Sequence, residues 1–145
     1  FSDNFDAVTG PAGYTTVGIV EQWTATPHSG FASVILRDQP SSMERTISTV
    51  GYSDITVSFE MGSHINNNPG RYFRAEWSPD GGTTWNTLKQ INYGDPENDN
   101  NLHPFSYSLP ASADNNANFT LRFVLNVAVP GEKGFVDNLE VRGIS

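Results

Sequence analysis

Apolar and polar residues alternate with a period of two along much of this chain, and no segment shows the spacing of an amphipathic helix. The alternation is clearest over residues 55–61, 73–77 and 121–127. Gly, Pro, Asn and Asp separate these segments and mark turns. Weaker alternation predicts further strands at 1–8, 17–25, 31–37, 44–49, 85–91, 105–109 and 135–142. About ten short strands predict an all-β chain folded as a two-sheet antiparallel β-sandwich, or jelly roll.

Length and composition predict one domain, from residue 1 to residue 145. A chain of 145 residues buries a substantial core, and this one has no cysteine with which to form disulfides. Asn, Gly, Thr and Ser are prominent while Lys and Arg together number 8, which favours a secreted, extracellular bacterial protein. Because the first residue is Phe1 rather than Met, we expect a module excised from a larger secreted protein.

The charge of the chain narrows the classes of partner. A formal net charge of −8 opposes binding to nucleic acid and to anionic membrane surfaces. No apolar run approaches the ~18 residues that are needed to span a bilayer. The same charge disfavours sulfated or uronate-rich ligands, although a local cluster of arginines would offset it. We expect a monomer that binds neither nucleic acid nor membrane.

The most specific motif is the sequence Ser-Pro-Asp-Gly-Gly-Thr-Thr-Trp at residues 78–85. It resembles the Asp box, a β-hairpin turn of sialidase propellers, reelin repeats and secreted carbohydrate-active modules. Ser78 and Asp80 are suited to bonding turn backbone, and the two glycines accept positive φ. We expect Trp85 to fold back over the hairpin as an apolar lid. The motif therefore predicts a stabilised turn rather than catalysis.

Five short stretches are distributed along nearly the whole chain: Phe5-Asp6, residues 29–36, the motif at 78–85, Leu121-Arg122-Phe123 and residues 135–141. Together they resemble the jelly-roll modules found among carbohydrate-binding modules, MAM-like domains and reelin subrepeats. The resemblance implies a non-catalytic polysaccharide-binding module of a secreted bacterial multimodular enzyme. Such a module binds a polysaccharide or oligosaccharide and raises the concentration of a covalently linked catalytic domain at its substrate. The alternative is a protein-interaction, adhesion or spacer module attached to a secreted protease or surface protein.

One candidate ligand surface is the polar side of three central strands. If these strands are neighbours, their planar polar groups and aromatic ring match the hydroxyls and C–H faces of a sugar chain. The alternative is an ordinary solvated sheet, with cross-strand pairs from Glu60 to Arg74 and from Glu76 to Arg122. The residues of this predicted face are Glu60, Tyr72, Arg74, Glu76, Arg122 and Asn126.

Aromatic residues near the predicted loops form a second candidate ligand site, at the edge of the sandwich. Its members are Trp23, Tyr93 and His103. Trp23 also follows Ile19 and Glu21 in alternation, which is typical of a core position. The sequence leaves both the sheet face and the loop edge open as the binding surface.

Carboxylates at the two ends of the chain form a candidate metal site. Asp137 is in register with Phe135 and Leu139, and Asp3 with Phe5, so both are predicted to point toward the core. A buried carboxylate needs a cation, an Arg or several backbone N–H groups. The resemblance to Ca²⁺-bearing carbohydrate-binding modules implies one structural Ca²⁺ shared by Asp3, Asp6 and Asp137 with nearby carbonyls. In the alternative, Asp137 bonds to backbone N–H groups or an Arg, and Asp3 is solvated.

Two further patterns point to no function. Residues 95–101 carry Asp95, Glu97, Asp99 and Asn101 at the alternate spacing of an EF-hand loop, but lack its glycine and its final glutamate. The chain also lacks the paired carboxylates of jelly-roll glucanases, a Gly-x-Ser-x-Gly motif and a phosphate loop. We therefore predict that the protein is not an enzyme.

Overall fold

The computed structural model describes residues 1–6 and 11–145. A 3₁₀ helix spans Ala111–Ala113. Within the described ranges, no helix is long and apolar enough to cross a membrane. The strands are β1 (Ser2–Asp3), β2 (Thr15–Trp23), β3 (Ser33–Thr46), β4 (Ser53–His64), β5 (Tyr72–Ser78), β6 (Asn86–Ile91), β7 (His103–Ser108), β8 (Thr120–Asn126) and β9 (Lys133–Ile144).

The strands form one continuous antiparallel sheet in the order β6-β5-β8-β3-β9-β4-β7, with β1 beside β9 and β2 beside β3. Strand β3 is shared, because residues 34–37 pair with β9 whereas residues 41–46 pair with β8. We call the part that contains β1, β9, β4 and β7 sheet A, and the part that contains β8, β5 and β6 sheet B. The two parts pack face to face, which confirms the predicted β-sandwich.

The core lies between the inner faces of the two sheets. Every second side chain of β4, from Ile55 to Met61, points into it, as the alternation predicts. Phe59 of sheet A packs edge-on against Phe123 of sheet B, with ring centroids 5.4 Å apart. Trp77 of β5 belongs to the same core and is 5% exposed. The cysteine-free chain is therefore held together mainly by apolar burial.

Strand β3 changes its pairing partner from β9 to β8 along its length. Strand β2 pairs with both parts of β3 and adapts to this change through a bulge at Gly18. The register between the two strands shifts between Val17 and Ile19. Gly18 has φ of 74°, and a Cβ placed there would lie 2.4 Å from the carbonyl oxygen of Pro40. Only glycine combines this backbone angle with so close an approach.

We expect Gly18→Ala to lower the free energy of unfolding by about 3 kcal/mol, because left-handed backbone strain adds to a steric clash. Gly51→Ala is the matched control, since Gly51 has a similar φ of 85° but no neighbour within 4 Å of the added Cβ. We expect it to cost about 1 kcal/mol, from the backbone alone. Urea denaturation measures both, and equal losses would show that the approach to Pro40 is unimportant.

The structure corrects two boundaries predicted from the sequence. The segments 31–37 and 44–49 are not separate strands, because β3 runs without interruption from Ser33 to Thr46. Of the predicted strand 1–8, only Ser2–Asp3 is a strand, and positions 7 and 8 lie outside the described residues. Within residues 1–6 and 11–145, nine strands thus stand where the pattern predicts ten.

The prediction that Asp137 points into the core is wrong. Asn138 has φ of 48°, and the register between β4 and β9 shifts between Ser58 and Glu60. This bulge leaves Leu139 in the core and pairs Asp137 with Glu60. Asp137 is nevertheless fully buried, because the segment before β3 covers it: the amide of Ser29 donates to its carboxylate.

Candidate functional site

The outer face of sheet B brings together most of the predicted ligand residues. In β5 and β8, Tyr72 is paired with Asn126, Arg74 with Val124, and Glu76 with Arg122. Paired residues project to the same side of a sheet, and the alternate residues Phe73, Ala75 and Phe123 occupy the core. We call the outward set, completed by Gln90 of β6 and Trp85, the sheet B face: Tyr72, Arg74, Glu76, Trp85, Gln90, Arg122 and Asn126.

Glu76 lies at the centre of this face and is only 5% exposed. Its Oε1 accepts from Nη2 of Arg122 at 3.0 Å and from Nε of Arg122 at 3.3 Å. Its Oε2 lies 3.9 Å from Nη1 of Arg74. The predicted pair from Glu76 to Arg122 is therefore present. One carboxylate fixes two guanidinium groups, leaving the remaining donors of both arginines for a ligand.

Each arginine of the face also lies over an aromatic ring. Cζ of Arg74 is 3.9 Å from the centroid of the Tyr72 ring, and Cζ of Arg122 is 3.9 Å from that of the Trp85 ring. Nε of Arg74 donates to Oε1 of Gln90 at 2.7 Å. Stacking and hydrogen bonding together restrict the rotamers of both arginines, so the face is organised before any ligand arrives.

Trp85 is held in place by the hairpin that contains the 78–85 motif. Ser78 Oγ accepts from the amide of Gly82 at 2.8 Å, and Asp80 Oδ1 accepts from the amide of Thr84 at 2.8 Å. The hydroxyl of Ser78 and the amide of Thr84 stabilise the charged form of Asp80 and so lower its pKa. These bonds fit the turn-stabilising role inferred from the motif.

The aromatic residue of that motif contacts more than the hairpin. Trp85 is partly exposed and lies beneath the guanidinium of Arg122, as well as beside Gly82. Sequence reasoning assigned it to the hairpin and omitted it from the ligand face. Its position directly before β6, a neighbour of β5 across a hairpin, is the signal that identifies it.

Glu60 does not belong to this face. It lies on β4 in sheet A, opposite Pro104 and Asp137, while Arg74 lies in sheet B. The cross-strand pair predicted from Glu60 to Arg74 is therefore wrong, because their strands are not neighbours. Asn126, by contrast, is at the predicted place, and its Nδ2 donates to the carbonyl of Gly70 at 2.8 Å.

The three loop-edge residues occupy separate environments. The Trp23 ring lies against Phe135, with centroids 6.3 Å apart, and its Nε1 donates to the carbonyl of Thr26. Tyr93 is 55% exposed in the loop after β6. His103 begins β7, and its Nε2 is 2.8 Å from Oδ1 of Asp99. Trp23 thus packs on sheet A, whereas Tyr93 and His103 belong to the region between β6 and β7.

Two of the three predicted metal ligands are brought close to the same segment. The amide of Ser29 donates to Oδ2 of Asp137 at 2.7 Å, and the amides of Phe31 and Ala32 donate to Oδ1 of Asp6 at 2.9 Å. Burial raises the pKa of Asp137 to about 6, and the charges of Glu60 and Asp6 act in the same direction. No Lys or Arg among the described residues pairs with Asp137 or Asp6.

Asp3 has other partners. Its Oδ1 accepts from the amide of Phe5 at 2.9 Å, and its Oδ2 accepts from the Tyr14 hydroxyl at 3.2 Å. Burial and the Asp3 carboxylate raise the pKa of Tyr14. In the part of the chain that the structure describes, no group of three or more His, Asp or Glu residues is arranged to hold a metal ion. Asp6 and Asp137 would thus need backbone oxygens to complete a site.

The acidic residues of the loop 95–101 are used locally. Glu97 pairs with Lys89 at 3.0 Å, and Asp99 binds His103 and the amide of Asn101. Asp95 accepts from the amide of Asn92. This arrangement is that of an ordinary surface loop stabilised by its own side chains.

Comparison with known sequences gives no match: no protein-family model matches the chain, and no curated protein does. Comparison with solved structures confirms the fold and, at 12–14% identity, shows nothing beyond it.

Three solved structures illustrate the similarity. The first structure comes from a study of promiscuous specificity in carbohydrate-binding modules of the β-sandwich superfamily. Its TM-score is 0.66 at 14% identity, and the match covers 94% of this chain and 58% of that chain. The second is TmCBM61 in complex with β-1,4-galactotriose, with a TM-score of 0.65, 12% identity and coverage of 92% and 90%. The third is the K1 cleaved adhesin domain of Lys-gingipain from Porphyromonas gingivalis W83, with a TM-score of 0.70, 12% identity and coverage of 100% and 98%.

Proposed function

We propose that this protein is a non-catalytic polysaccharide-binding module of a secreted bacterial multimodular enzyme, and that the sheet B face is its binding surface. The observation that carries the proposal is the array of two arginines fixed by Glu76 between Tyr72 and Trp85. Sugar recognition needs planar donors and acceptors with nearby rings, all held rigidly. The similarity to carbohydrate-binding modules of the β-sandwich superfamily supports the same conclusion.

The absence of catalysis is part of the proposal. Glu76 is the only carboxylate of the sheet B face as defined above, and both its oxygens face arginines, so it serves as a hydrogen-bond acceptor. A glycosidase instead needs two carboxyl groups on either side of the scissile bond. Binding without turnover would serve a linked catalytic domain by raising its effective concentration at a polymer.

The first test is affinity electrophoresis against neutral and acidic polysaccharides. We expect retardation by one class of neutral glycan, because the two arginines are balanced by Glu76 and by the nearby Glu44. Tyr72→Ala should weaken the retarding interaction at least tenfold, since a stacked aromatic contributes on the order of 1–3 kcal/mol at a binding surface.

Tyr93→Ala is the matched control. It removes the same side chain from the loop edge, where Tyr93 is 55% exposed and outside the sheet B face. We expect unchanged retardation. If Tyr93→Ala abolishes binding and Tyr72→Ala does not, the ligand binds at the loop edge instead.

We also propose one structural Ca²⁺ at Asp6 and Asp137. The donor set fits in part: two carboxylates meet beside one segment, no basic side chain of the described residues neutralises them, and Ca²⁺ prefers oxygen ligands. Glu60 lies near enough to affect Asp137, but backbone oxygens would have to complete the coordination. The ion would offset the repulsion among these carboxylates and hold the 29–32 segment over sheet A. Asp3 remains a candidate ligand by sequence only.

A protein-adhesion module is the second candidate function. The similarity to the adhesin domain of Lys-gingipain over the whole chain favours it. A folded protein that no glycan retards, together with retention on a protein ligand, would select this alternative.

A further inference from the structure

A polar cleft of about 450 Å³ opens beside the sheet B face, at the edge of β3. It lies where β2 begins, because Thr15, the first residue of β2, is paired with Glu44. The residues that line the cleft are Gly13, Thr15, Glu44, Arg45, Thr46, Gly81 and Thr120.

The cleft is continuous with the sheet B face through the hairpin glycines. A Cβ at Gly82 would lie 3.1 Å from Cζ2 of Trp85 and 3.9 Å from Oε2 of Glu44. Glu44 is also the cross-strand neighbour of Arg122. Glu44 therefore stands at the boundary, with the stacked pair of Arg122 and Trp85 on one side and the cleft on the other.

Two charged residues that line the cleft have no ion pair within the described part of the chain. Every other arginine of the described residues pairs with a carboxylate, but Arg45 has no such pair. Its guanidinium instead lies over the rings of Phe1 and Tyr14, 4.6 Å and 5.4 Å from their centroids. Glu44 likewise has no ion pair within the described part of the chain. Glu44 therefore offers acceptors to a molecule in the cleft, whereas Arg45, paired with the core residue Leu121, projects to the other side of β3.

Three threonine hydroxyls line the cleft, and they differ in how far other protein groups already use them as hydrogen-bond partners. Oγ1 of Thr120 donates to the carbonyl of Asn118 and lies 3.0 Å from Oγ1 of Thr46. Thr46 can therefore act as donor to Thr120 and keep acceptor capacity toward the cleft. Thr15 is exposed at the cleft wall. The cleft thus presents one carboxylate and hydroxyls to the same volume.

We infer that this cleft is an additional sugar subsite, which binds one neutral glycosyl residue of the chain that lies on the sheet B face. A sugar with neighbouring hydroxyls donates to the Glu44 carboxylate and bonds the hydroxyls of Thr15 and Thr46. An acidic sugar is disfavoured, because its carboxylate would approach that of Glu44. This inference rests on the proposed function.

The geometry makes the subsite dependent on ligand length. Along β8, from Asn126 beside Tyr72 to Thr120 at the cleft, the face spans about 20 Å at the rise of an extended strand. A disaccharide on the arginines therefore leaves the cleft empty, whereas a longer chain reaches it. Affinity should rise again when the oligosaccharide becomes long enough to occupy the cleft.

The test is titration calorimetry with linear galacto-, xylo-, cello- and manno-oligosaccharides of two to six residues, on the wild-type protein, Glu44→Gln and Thr15→Val. For the series that binds, we expect Glu44→Gln to lower the affinity for the longest members about tenfold, as the loss of a charged hydrogen bond does. Affinity for the shortest binding member should change less than twofold. Thr15→Val, which preserves shape, should lower the affinity for long members about threefold.

Glu140→Gln is the matched control, since Glu140 lies on sheet A and pairs with Arg142. It should leave every affinity unchanged. Equal losses for short and long members in Glu44→Gln, or no loss at all, would overturn the subsite and leave the sheet B face in place. Wild-type protein that binds none of the four series would overturn the proposed function and the subsite together.

Discussion

Glu76→Ala is expected to lower the free energy of unfolding by about 3 kcal/mol and to abolish glycan binding. The carboxylate is almost fully buried and faces both Arg122 and Arg74. Removing one partner of a buried ion pair leaves the other charges uncompensated, which costs about 3–5 kcal/mol. The lower limit of this range applies because the side chains of Arg122 and Arg74 are 29% and 25% exposed, so water partly solvates them.

The loss of binding has a separate physical cause. Without Glu76, Arg74 keeps its bond to Gln90 and Arg122 keeps its contact with Trp85, but neither guanidinium is oriented by a common acceptor. A ligand must then order both side chains itself, and this ordering cost is subtracted from its affinity. Affinity electrophoresis below the unfolding transition measures the effect on a protein shown by circular dichroism to be folded.

Glu140→Ala provides the comparison for stability. It also deletes a glutamate from an outward strand position and breaks a pair with arginine. The Arg142 side chain is 76% exposed, so we expect a loss below about 1 kcal/mol and normal binding. Similar losses in Glu76→Ala and Glu140→Ala would contradict a central role for Glu76.

The second large effect is a dependence of stability on pH and calcium that comes from Asp137. Its pKa is raised to about 6 in the folded protein, from 3.8 in an unfolded chain. Between these values the folded state holds more protons than the unfolded state, so stability falls as pH rises. A shift of this size corresponds to about 3 kcal/mol, lost between about pH 4 and pH 7.

Other carboxylates also make stability depend on pH, so the contribution of Asp137 is measured as a difference between the wild type and Asp137→Asn. The pKa values of Asp38, Glu97 and Asp99 are lowered in the folded protein, and these groups add stability as pH rises. We therefore expect the free energy of unfolding of the wild type, minus that of Asp137→Asn, to fall by about 3 kcal/mol over this range in a chelator. The asparagine loses one acceptor at every pH, which shifts the difference without changing its slope.

Calcium should remove this slope. An ion at Asp6 and Asp137 binds the ionised carboxylate and stabilises the folded state by mass action, by about 3 kcal/mol at a concentration a hundredfold above its dissociation constant. We expect calcium to raise the stability of the wild type at pH 7 and to leave Asp137→Asn unchanged. Identical wild-type curves in calcium and in chelator would reject the metal site, and a flat difference curve in chelator would reject the raised pKa.

Much of the fold could be predicted because each strand carries its own signal. The alternation at 55–61 identifies β4 and assigns Phe59 to the core, with no knowledge of the partner strand. The pairing of strands depends on the fold of the whole chain, and the pattern of a single strand does not predict its neighbours. Glu60 and Arg74 were therefore joined in one predicted face although they lie in different sheets.

Local irregularities account for other errors. A single residue with positive φ, Asn138, inverts the direction of the side chains before it, so Asp137 lies opposite Glu60 instead of in the core. Alternation alone assumes a regular strand, and a one-residue bulge reverses its result. The pair of Glu76 and Arg122 was predicted correctly because β5 and β8 are both regular over this stretch.

Strand β3 hydrogen-bonds to β2, β8 and β9, and so belongs to both sheets. Neither sheet can lose its order without breaking the ladder of the other. Amide protons in sheet A and in sheet B should therefore exchange with solvent at one common free energy of opening, as a single foldon. If the module tethers a larger protein to an insoluble polymer, a pulling force would meet one cooperative barrier, with no partly unfolded intermediate to release the glycan early.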